Sequence, residues 1–332
     1  MKPSMYLLKA SHLTPFIKVM ESHELPVEEL LHRAGLSRKN LDDDENLIFE
    51  SKVWELIALA SEYEGMENLG FITTQTTPLS DYGTFFDELL NQKNLKTMLN
   101  YFVKHMNMQS NCLTYWLSEH KGYFWICRPG TPLLTRGAWQ VEQHVMSLIV
   151  KLIRAFIGPK WSPTRIGIQS IVDTGIDQFD FFKDTVILPG QKFSSIPVEL
   201  KYLTKKPLIT ALAITTKAQN IPDSFVTSLK RLLKQHYFGD EWSAIVIASG
   251  LNMSVSTLKR KLASYNTTLR EVIDEVRFSQ AKALLKKAKI NNDKIAKELG
   301  YQYTPNFVRA FKRWSGISPT AYQASLGKTK VS

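Results

Sequence analysis

Apolar positions recur at helical spacing along most of this chain, and the pattern changes character twice. Residues 14–35 read as two short helices. Thr14-Pro15 places a capping residue before a proline at the first helical position, and Pro26 opens Val27–Ala34, which Gly35 stops. The acidic cluster Asp42–Glu45 separates these from a third helix, capped by Ser51, with Val53, Leu56, Ile57 and Ala60 on one face and Gly65 at its end. Another helix is expected over Leu95–Met108. Then the period shortens. Leu113–Leu117 and Tyr123–Cys127 are short aromatic runs around Lys121-Gly122, a hairpin signal that sets Cys127 opposite Trp116. A long helix follows over Ala138–Ile157, with Val141, Val145, Leu148, Ile149, Leu152, Ile153 and Phe156 on its apolar stripe and Gly158-Pro159 at its end. Arg165–Gln169 reads as a strand, and Phe179–Phe182 with Val186–Leu188 as a small helix or a strand pair.

The second change comes after a run of breakers: Pro189-Gly190, Pro197, Lys205-Lys206-Pro207 and Ile221-Pro222. Beyond them every period is helical: Phe225–Tyr237, Ser243–Ser249, Ser254–Tyr265, Leu269–Ala288, Asn292–Leu299, Thr304–Trp314 and a tail near Pro319–Ser325. Thr304-Pro305 repeats the cap-then-proline arrangement. The pattern predicts an α+β N-terminal domain over residues 1–205, a linker over 206–222 and an all-α C-terminal domain over 223–332.

Charge sharpens that division. The 332 residues carry a net charge of +11. Residues 223–332 hold 19 Lys+Arg against 8 Asp+Glu, leaving 23 of each for residues 1–222, so the last third carries the whole excess. A basic block confined to one module points to a polyanionic partner. The 44% hydrophobic and 22% charged content excludes a disordered chain, a collagen-like fibre and a disulfide-stapled mini-fold. The apolar stretch Met5–Leu8 is stopped by Lys9, too short for a signal-peptide core, and no run of 18 apolar residues exists, so a cytoplasmic location is expected. Cys112 and Cys127 lack metal or redox spacing and read as buried thiols.

The C-terminal block repeats itself. Ala248-x-x-Leu251-x-Met253 corresponds to Ala296-x-x-Leu299-x-Tyr301 at an offset of 48, and Leu258-x-Arg260-x-Leu262 to Phe307-x-Arg309-x-Phe311 at an offset of 49. Each copy reads as a short helix with a small Ala at a close crossing, a tight turn, and a second helix anchored from behind. That is helix-turn-helix logic, with the second helix able to enter a major groove. The first copy offers Ser256, Thr257, Lys259, Arg260 and Lys261. The second offers Tyr303, Thr304, Asn306, Arg309, Lys312 and Arg313. Arg forks onto guanine and Asn onto adenine, while Lys and hydroxyls hold phosphates. One such helix alone reads as a solvated face; two copies at matching offset inside the basic block favour DNA. Leu269–Ala288 joins them, about 20 residues and roughly 30 Å at 1.5 Å per residue, close to the ~34 Å between successive major-groove faces. Lys286, Lys287 and Lys289 at its end are placed for phosphates or form a solvated helix end.

Those residues resemble the DNA-binding region of AraC/XylS-type bacterial transcription regulators over about Phe238–Leu326. The similar run is Ile295-Ala296-x-x-Leu299-Gly300-Tyr301, then Phe307-x-Arg309-Ala310-Phe311-Lys312-Arg313-Trp314-x-Gly316-x-Ser318-Pro319-x-x-Tyr322. Three features depart from the family pattern: Asn266 in place of Gly, the apolar Ala244–Ile247, and Gln323 in place of a basic residue. The N-terminal part is similar to the long regulatory domain of one branch, often labelled arabinose-binding-like, through Glu28-Glu29-Leu30-Leu31-x-x-Ala34-Gly35-Leu36 and Trp161-x-Pro163 … Phe181-Phe182. The resemblance implies a promoter-binding regulator that acts as a homodimer or as a dimer on tandem sites. It implies that RNA polymerase is recruited or blocked, under the control of a small-molecule effector or of none.

No glycine-rich phosphate loop, zinc spacing or nucleophile–base pair is present, so neither an enzyme nor a cofactor is expected. The seven histidines, at 12, 23, 32, 105, 120, 144 and 236, are scattered. The aromatic group Tyr115, Trp116, Tyr123, Phe124, Trp125 and Trp139 reads as hairpin core or as the wall of a ligand cavity. Arg128 and Arg136 flank it. His144 on the long helix either lines a pocket or packs as a satisfied histidine. Trp116, Trp125, Arg128, Arg136, Trp139 and His144 are therefore the candidate effector-binding residues.

Overall fold

The computed structural model describes residues 5–111, 113–129, 136–171, 175–209, 221, 224–235, 242–286 and 291–328. The chain divides into two compact units, Met1–Asp223 and Ser224–Ser332.

The first unit is mixed α and β. Strand β1 (Leu7–Lys9) leads to α1 (Thr14–Ser22) and α2 (Val27–Ala34), then β2 (Leu47–Phe49) runs straight into α3 (Glu50–Ala60). β1 and β2 pair antiparallel, with Leu7 opposite Phe49. Helices α4 (Leu69–Thr76), α5 (Thr84–Leu90) and α6 (Leu95–His105) follow. The hairpin is β3 (Trp116–His120) and β4 (Tyr123–Pro129), and Trp116 does face Cys127. Lys121 (φ 50°) and Gly122 (φ 79°) both occupy the left-handed region, as a tight two-residue hairpin loop requires. Helix α7 occupies Ala138–Ile157, the span its apolar stripe predicts. Strands β5 (Arg165–Gly167), β6 (Val186–Leu188) and β7 (Phe193–Glu199) complete a five-stranded sheet in the order β3-β4-β7-β5-β6.

α7 lies at the centre of the packing. Val150, Ile153 and Phe156 are fully buried, in one core with Phe71, Leu89, Leu95, Ile166, Phe182, Ile196 and Val198. α4 crosses it at Gly70, where an added Cβ would lie 2.1 Å from the Gln140 carbonyl oxygen, so only glycine permits the approach. Cys127 is a buried free thiol, its pKa raised to about 11 by burial. Cys112, His236, Lys287 and Lys289 lie outside the described residues. Among the described residues no helix is long and apolar enough to cross a membrane.

Several elements differ from the sequence expectation. α3 starts at Glu50 behind Phe49, without a side-chain cap, so Ser51 is a helical residue and not the cap. Of the two alternatives for Phe179–Phe182 the structure takes the small helix, a 3-10 turn over Asp180–Phe182, and Val186–Leu188 forms β6, paired with β5. β7 was obscured by Ser194, Ser195 and Pro197. β5 reaches β7 only at Gly167–Ser195, so Pro197 lies where that edge of β7 has no neighbouring strand and its missing N–H breaks no ladder there.

The described part of the second unit is all helical: α8 (Phe225–Lys234), α9 (Ala244–Gly250), α10 (Val255–Ala263), α11 (Leu269–Lys286), α12 (Asn292–Glu298), α13 (Thr304–Ser315) and α14 (Pro319–Lys328). α11 has 18 residues, about 27 Å at 1.5 Å each. It starts in a capping box: the Thr268 N–H donates to Glu271 Oε2 (2.8 Å) and the Glu271 N–H to Thr268 Oγ1 (3.3 Å). The bond from the Thr268 N–H, with side-chain bonds from Thr268 and Thr267, holds the Glu271 carboxyl below its ordinary pKa. Val272 and Val276 are buried in its first half, Ala281 and Leu285 in its second, so one helix serves both halves of the domain. The second half shares a core with Ile295, Ala296, Leu299, Phe307 and Phe311.

Candidate nucleic-acid interface

The two sequence copies fold into matching helix-turn-helix units, α9–α10 and α12–α13. Their turns agree bond for bond. Met253 N–H donates to the Ala248 carbonyl (3.0 Å), and Tyr301 N–H to that of Ala296 (2.9 Å). Leu251 donates to Ile247 and Leu299 to Ile295, both at 3.0 Å. The left-handed turn residue is Asn252 (φ 53°) in the first unit and Gly300 (φ 74°) in the second. Both first helices are capped alike: Ser243 Oγ accepts from Val246 N–H and Asn291 Oδ1 from Lys294 N–H. The small Ala248 and Ala296 are buried, 1% and 2% exposed, where the helices cross. Asn266, which replaces a family glycine, has φ 53°, a left-handed value that asparagine tolerates. Its counterpart Gly316 has φ 79°.

In the first unit, Ser254 caps α10 by accepting from Thr257 N–H (3.1 Å). Its hydroxyl also bonds Thr257 Oγ1 and Ser256 Oγ, both at 2.9 Å, which draws those two hydroxyls into the helix start. Ser256, Lys259 and Arg260 are exposed on one face of α10. Lys261 departs from the expected set. Its ammonium sits 4.7 Å above the Phe225 ring, so it points back onto α8.

The second unit is more tightly tied. Thr304 is not the cap of α13, because the helix already includes it and Tyr303 occupies the cap position without a side-chain bond. Thr304 Oγ1 instead donates to Asp293 Oδ1 (2.5 Å), fastening α13 to α12. Asn306, Arg309 and Arg313 share a face, three and four residues apart. Arg309 Nη2 donates to Asn306 Oδ1 (2.7 Å), so these side chains orient each other. Arg313 pairs with Asp274 of α11 (2.8 Å) and therefore also braces the fold. Lys312 is exposed, and Tyr303 is 61% exposed. A cleft of about 620 Å³ opens between α11 and α13, lined by Arg270, Asp274, Arg277, Asn306, Arg309 and Arg313 among others. Sequence reasoning missed Arg270, Asp274 and Arg277, because α11 reads only as a connector until its neighbours are known.

The candidate effector residues of the first unit do not converge. Side chains alternate along a strand, so Trp116 and Trp125 share one face of the sheet with Cys127, while Arg128 lies on the other. Trp116 packs edge-on against Phe193, and Arg165 lies 5.7 Å over the Trp125 ring. Arg128 is 3% exposed on β4. Arg136 is engaged by Glu55 (2.8 Å) and Glu62. Trp139 packs edge-on against Phe71. His144 is buried, with Nδ1 bonded to Thr74 Oγ1 (2.9 Å), beside Phe16 and Tyr82. Burial lowers its pKa to about 3, so it is a neutral packing histidine. Among the described residues no group of three His, Cys, Asp or Glu is placed to hold a metal.

The geometry defines a protein with two helix-turn-helix units in tandem, joined by one helix, behind a mixed α/β unit. Residues 247–325 match a helix-turn-helix domain family, and residues 25–180 match the arabinose-binding domain of AraC transcription regulators, N-terminal. The chain is thus similar to AraC transcription regulators over its N-terminal match and to helix-turn-helix domains over its C-terminal one.

The chain is 39% identical over 84 residues to the HTH-type transcriptional regulator VqsM of Pseudomonas aeruginosa, covering 25% of this chain and 26% of VqsM. It is 34% identical over 90 residues to the porin thermoregulatory protein EnvY of Escherichia coli (27% and 34% of the two chains). It is 31% identical over 116 residues to the transcriptional regulator SirC of Salmonella typhimurium (35% and 36%). The chain thus spans only about a quarter to a third of the length of these relatives. Among solved structures, the transcriptional regulator CdpR of Pseudomonas aeruginosa aligns over 95% of this chain and 98% of its own, at 19% identity and a TM-score of 0.43.

Proposed function

We propose that this protein regulates transcription by binding promoter DNA through α10 and α13, each lying in a major groove. The observation that carries the reading is the bond-for-bond match of two helix-turn-helix units that both present basic side chains. In this reading Asn306 and Arg309 read base edges. Ser256, Thr257, Lys259, Arg260, Tyr303, Thr304 and Lys312 hold the backbone or flanking bases, and Arg313 adds a phosphate contact from its brace on Asp274. The full-length chain acts in the cytoplasm as a homodimer that recruits or blocks RNA polymerase. Its first unit senses a small molecule, which shifts the population that presents both units to DNA. The arabinose-binding-like match supports that sensing role.

A second reading makes the first unit a dimerisation or protein-interaction platform without a ligand. It is favoured by the dispersal of the six candidate effector residues and by the capture of Arg136 between Glu55 and Glu62. The deciding experiment is an anisotropy titration of the full-length protein on promoter fragments at fixed salt, with a metabolite panel. Sequence-specific binding supports the regulator, and its absence refutes it. A compound that shifts both affinity and melting temperature selects the sensor, and indifference to every compound selects the platform.

A further inference from the structure

Arg277 lies near the middle of α11, and its guanidinium reaches both helix-turn-helix units. The carbon at its centre is 4.8 Å from the ring centroid of Tyr301 and 5.3 Å from that of Trp242. Tyr301 is the turn residue of the second unit, one position after Gly300, and its N–H is tied to the Ala296 carbonyl. Its ring packs on Phe307, fully buried at the base of α13. Trp242 directly precedes Ser243, the cap of α9 in the first unit. The two aromatic residues are 59 positions apart and belong to different units, and one side chain of the joining helix lies in cation–π range of both.

We propose that Arg277 is a positioning residue that fixes the distance and angle between the two helix-turn-helix units, and so sets which half-site spacing the protein accepts. The inference rests on the DNA-binding reading above and adds to it the source of the bipartite geometry. α11 buries Val272 and Val276 in its first half, and Ala281 and Leu285 in its second, where they share the core of the second unit. The second unit therefore has an anchor on α11 that does not involve Arg277. What Arg277 adds is the link between the two units. A planar guanidinium offers flat faces to aromatic rings, whereas a lysine ammonium is a point charge on a flexible stem. The requirement is thus for Arg in particular. Moving a half-site by one base pair shifts it about 3.4 Å and turns it about 35° around the duplex, a change that a stiff pair of units rejects and a loose pair follows.

The test uses the full-length protein on duplexes carrying the bipartite site at its selected spacing, with one base pair added or removed, and on each half-site alone. Wild type is expected to prefer the selected spacing by about tenfold or more. Arg277→Ala and Arg277→Lys are both expected to reduce that preference to within about threefold, with a smaller loss on each half-site than on the bipartite site at its selected spacing. Trp242→Leu, which leaves Arg277 in place, is expected to loosen spacing in the same direction, and it serves if the Arg277 variants fail to fold by circular dichroism. Retention of the wild-type spacing preference by the folded variants overturns the proposal. So does an equal loss on half-sites and bipartite sites. A wild type that binds specifically but ignores spacing also overturns it, whereas a wild type that binds no duplex specifically refutes the DNA-binding reading itself.

Discussion

The two helix-turn-helix units share a backbone and differ in how it is secured. The first uses Asn252 in its left-handed turn, a serine cap on its second helix, and Lys259 and Arg260 that stand in solvent. The second uses Gly300, has no side-chain cap on α13, and replaces it with Thr304 on Asp293 and Arg313 on Asp274. Its Asn306–Arg309 pair is already oriented. A residue held in place before binding loses less side-chain freedom on contact. Under the proposed DNA-binding reading, base reading falls chiefly to the second unit, and adaptable phosphate contact to the first.

The largest expected effect tests that asymmetry. Arg309→Ala should weaken specific binding by about 1–3 kcal/mol, a roughly 5- to 150-fold rise in Kd, and relax selectivity at one base position. Arg260→Ala, its counterpart in the first unit, should cost less and spread its loss over all sequences. A reversed ranking in parallel titrations would assign base reading to the first unit.

The turns come next. Gly300→Ala places a Cβ in the left-handed region and should cost about 1–2 kcal/mol of folding stability, whereas Asn252→Gly should change it by less than about 0.5 kcal/mol. Urea unfolding of the full-length chain checks both, and equal costs would show that the two turns are not equivalent.

The caps give an effect of opposite sign. Ser254→Ala should destabilise by about 1 kcal/mol through loss of the α10 cap. Tyr303→Ser, which supplies the cap that α13 lacks, should stabilise by about 0.5–1 kcal/mol and weaken DNA binding where the exposed ring touches the duplex. A stabilised variant with unchanged affinity removes Tyr303 from the interface.

The smallest effect concerns one lysine. Lys259→Ala should reduce the salt slope by about 0.9, as loss of one phosphate contact does, whereas Lys261→Ala should leave it unchanged because that ammonium covers Phe225. Equal slopes for the two variants would return Lys261 to the DNA face.

This contrast also marks what the sequence made legible. Ala248, Ala296 and the Leu/Phe pairs report their places directly, because a helix crossing and its buried anchors are local and periodic. α7 was legible to the residue for the same reason. β1 and β2 were not: three residues make too short a strand for alternation to register, and they exist only as partners 40 residues apart. Thr14, Ser51 and Thr304 look like caps by type, yet each lies inside its helix, so residue type located the start only to within two positions. The dispersal of the candidate effector residues was not legible either. Neighbours on one hairpin strand alternate between faces, so Arg128 lies on the face opposite Trp116 and Trp125, and carboxylates from α3 and its following turn reach Arg136 from far along the chain. Arg277 carried no local signal, since its two rings come from different units.

The most direct test of the central claim is selection of duplexes from a random library by the full-length protein, followed by sequencing. Two tandem helix-turn-helix units predict two enriched blocks about one helical turn apart, centre to centre, with the sharper base preference in the block that Arg309→Ala relaxes. A single enriched block, or a pool that stays random, would contradict it.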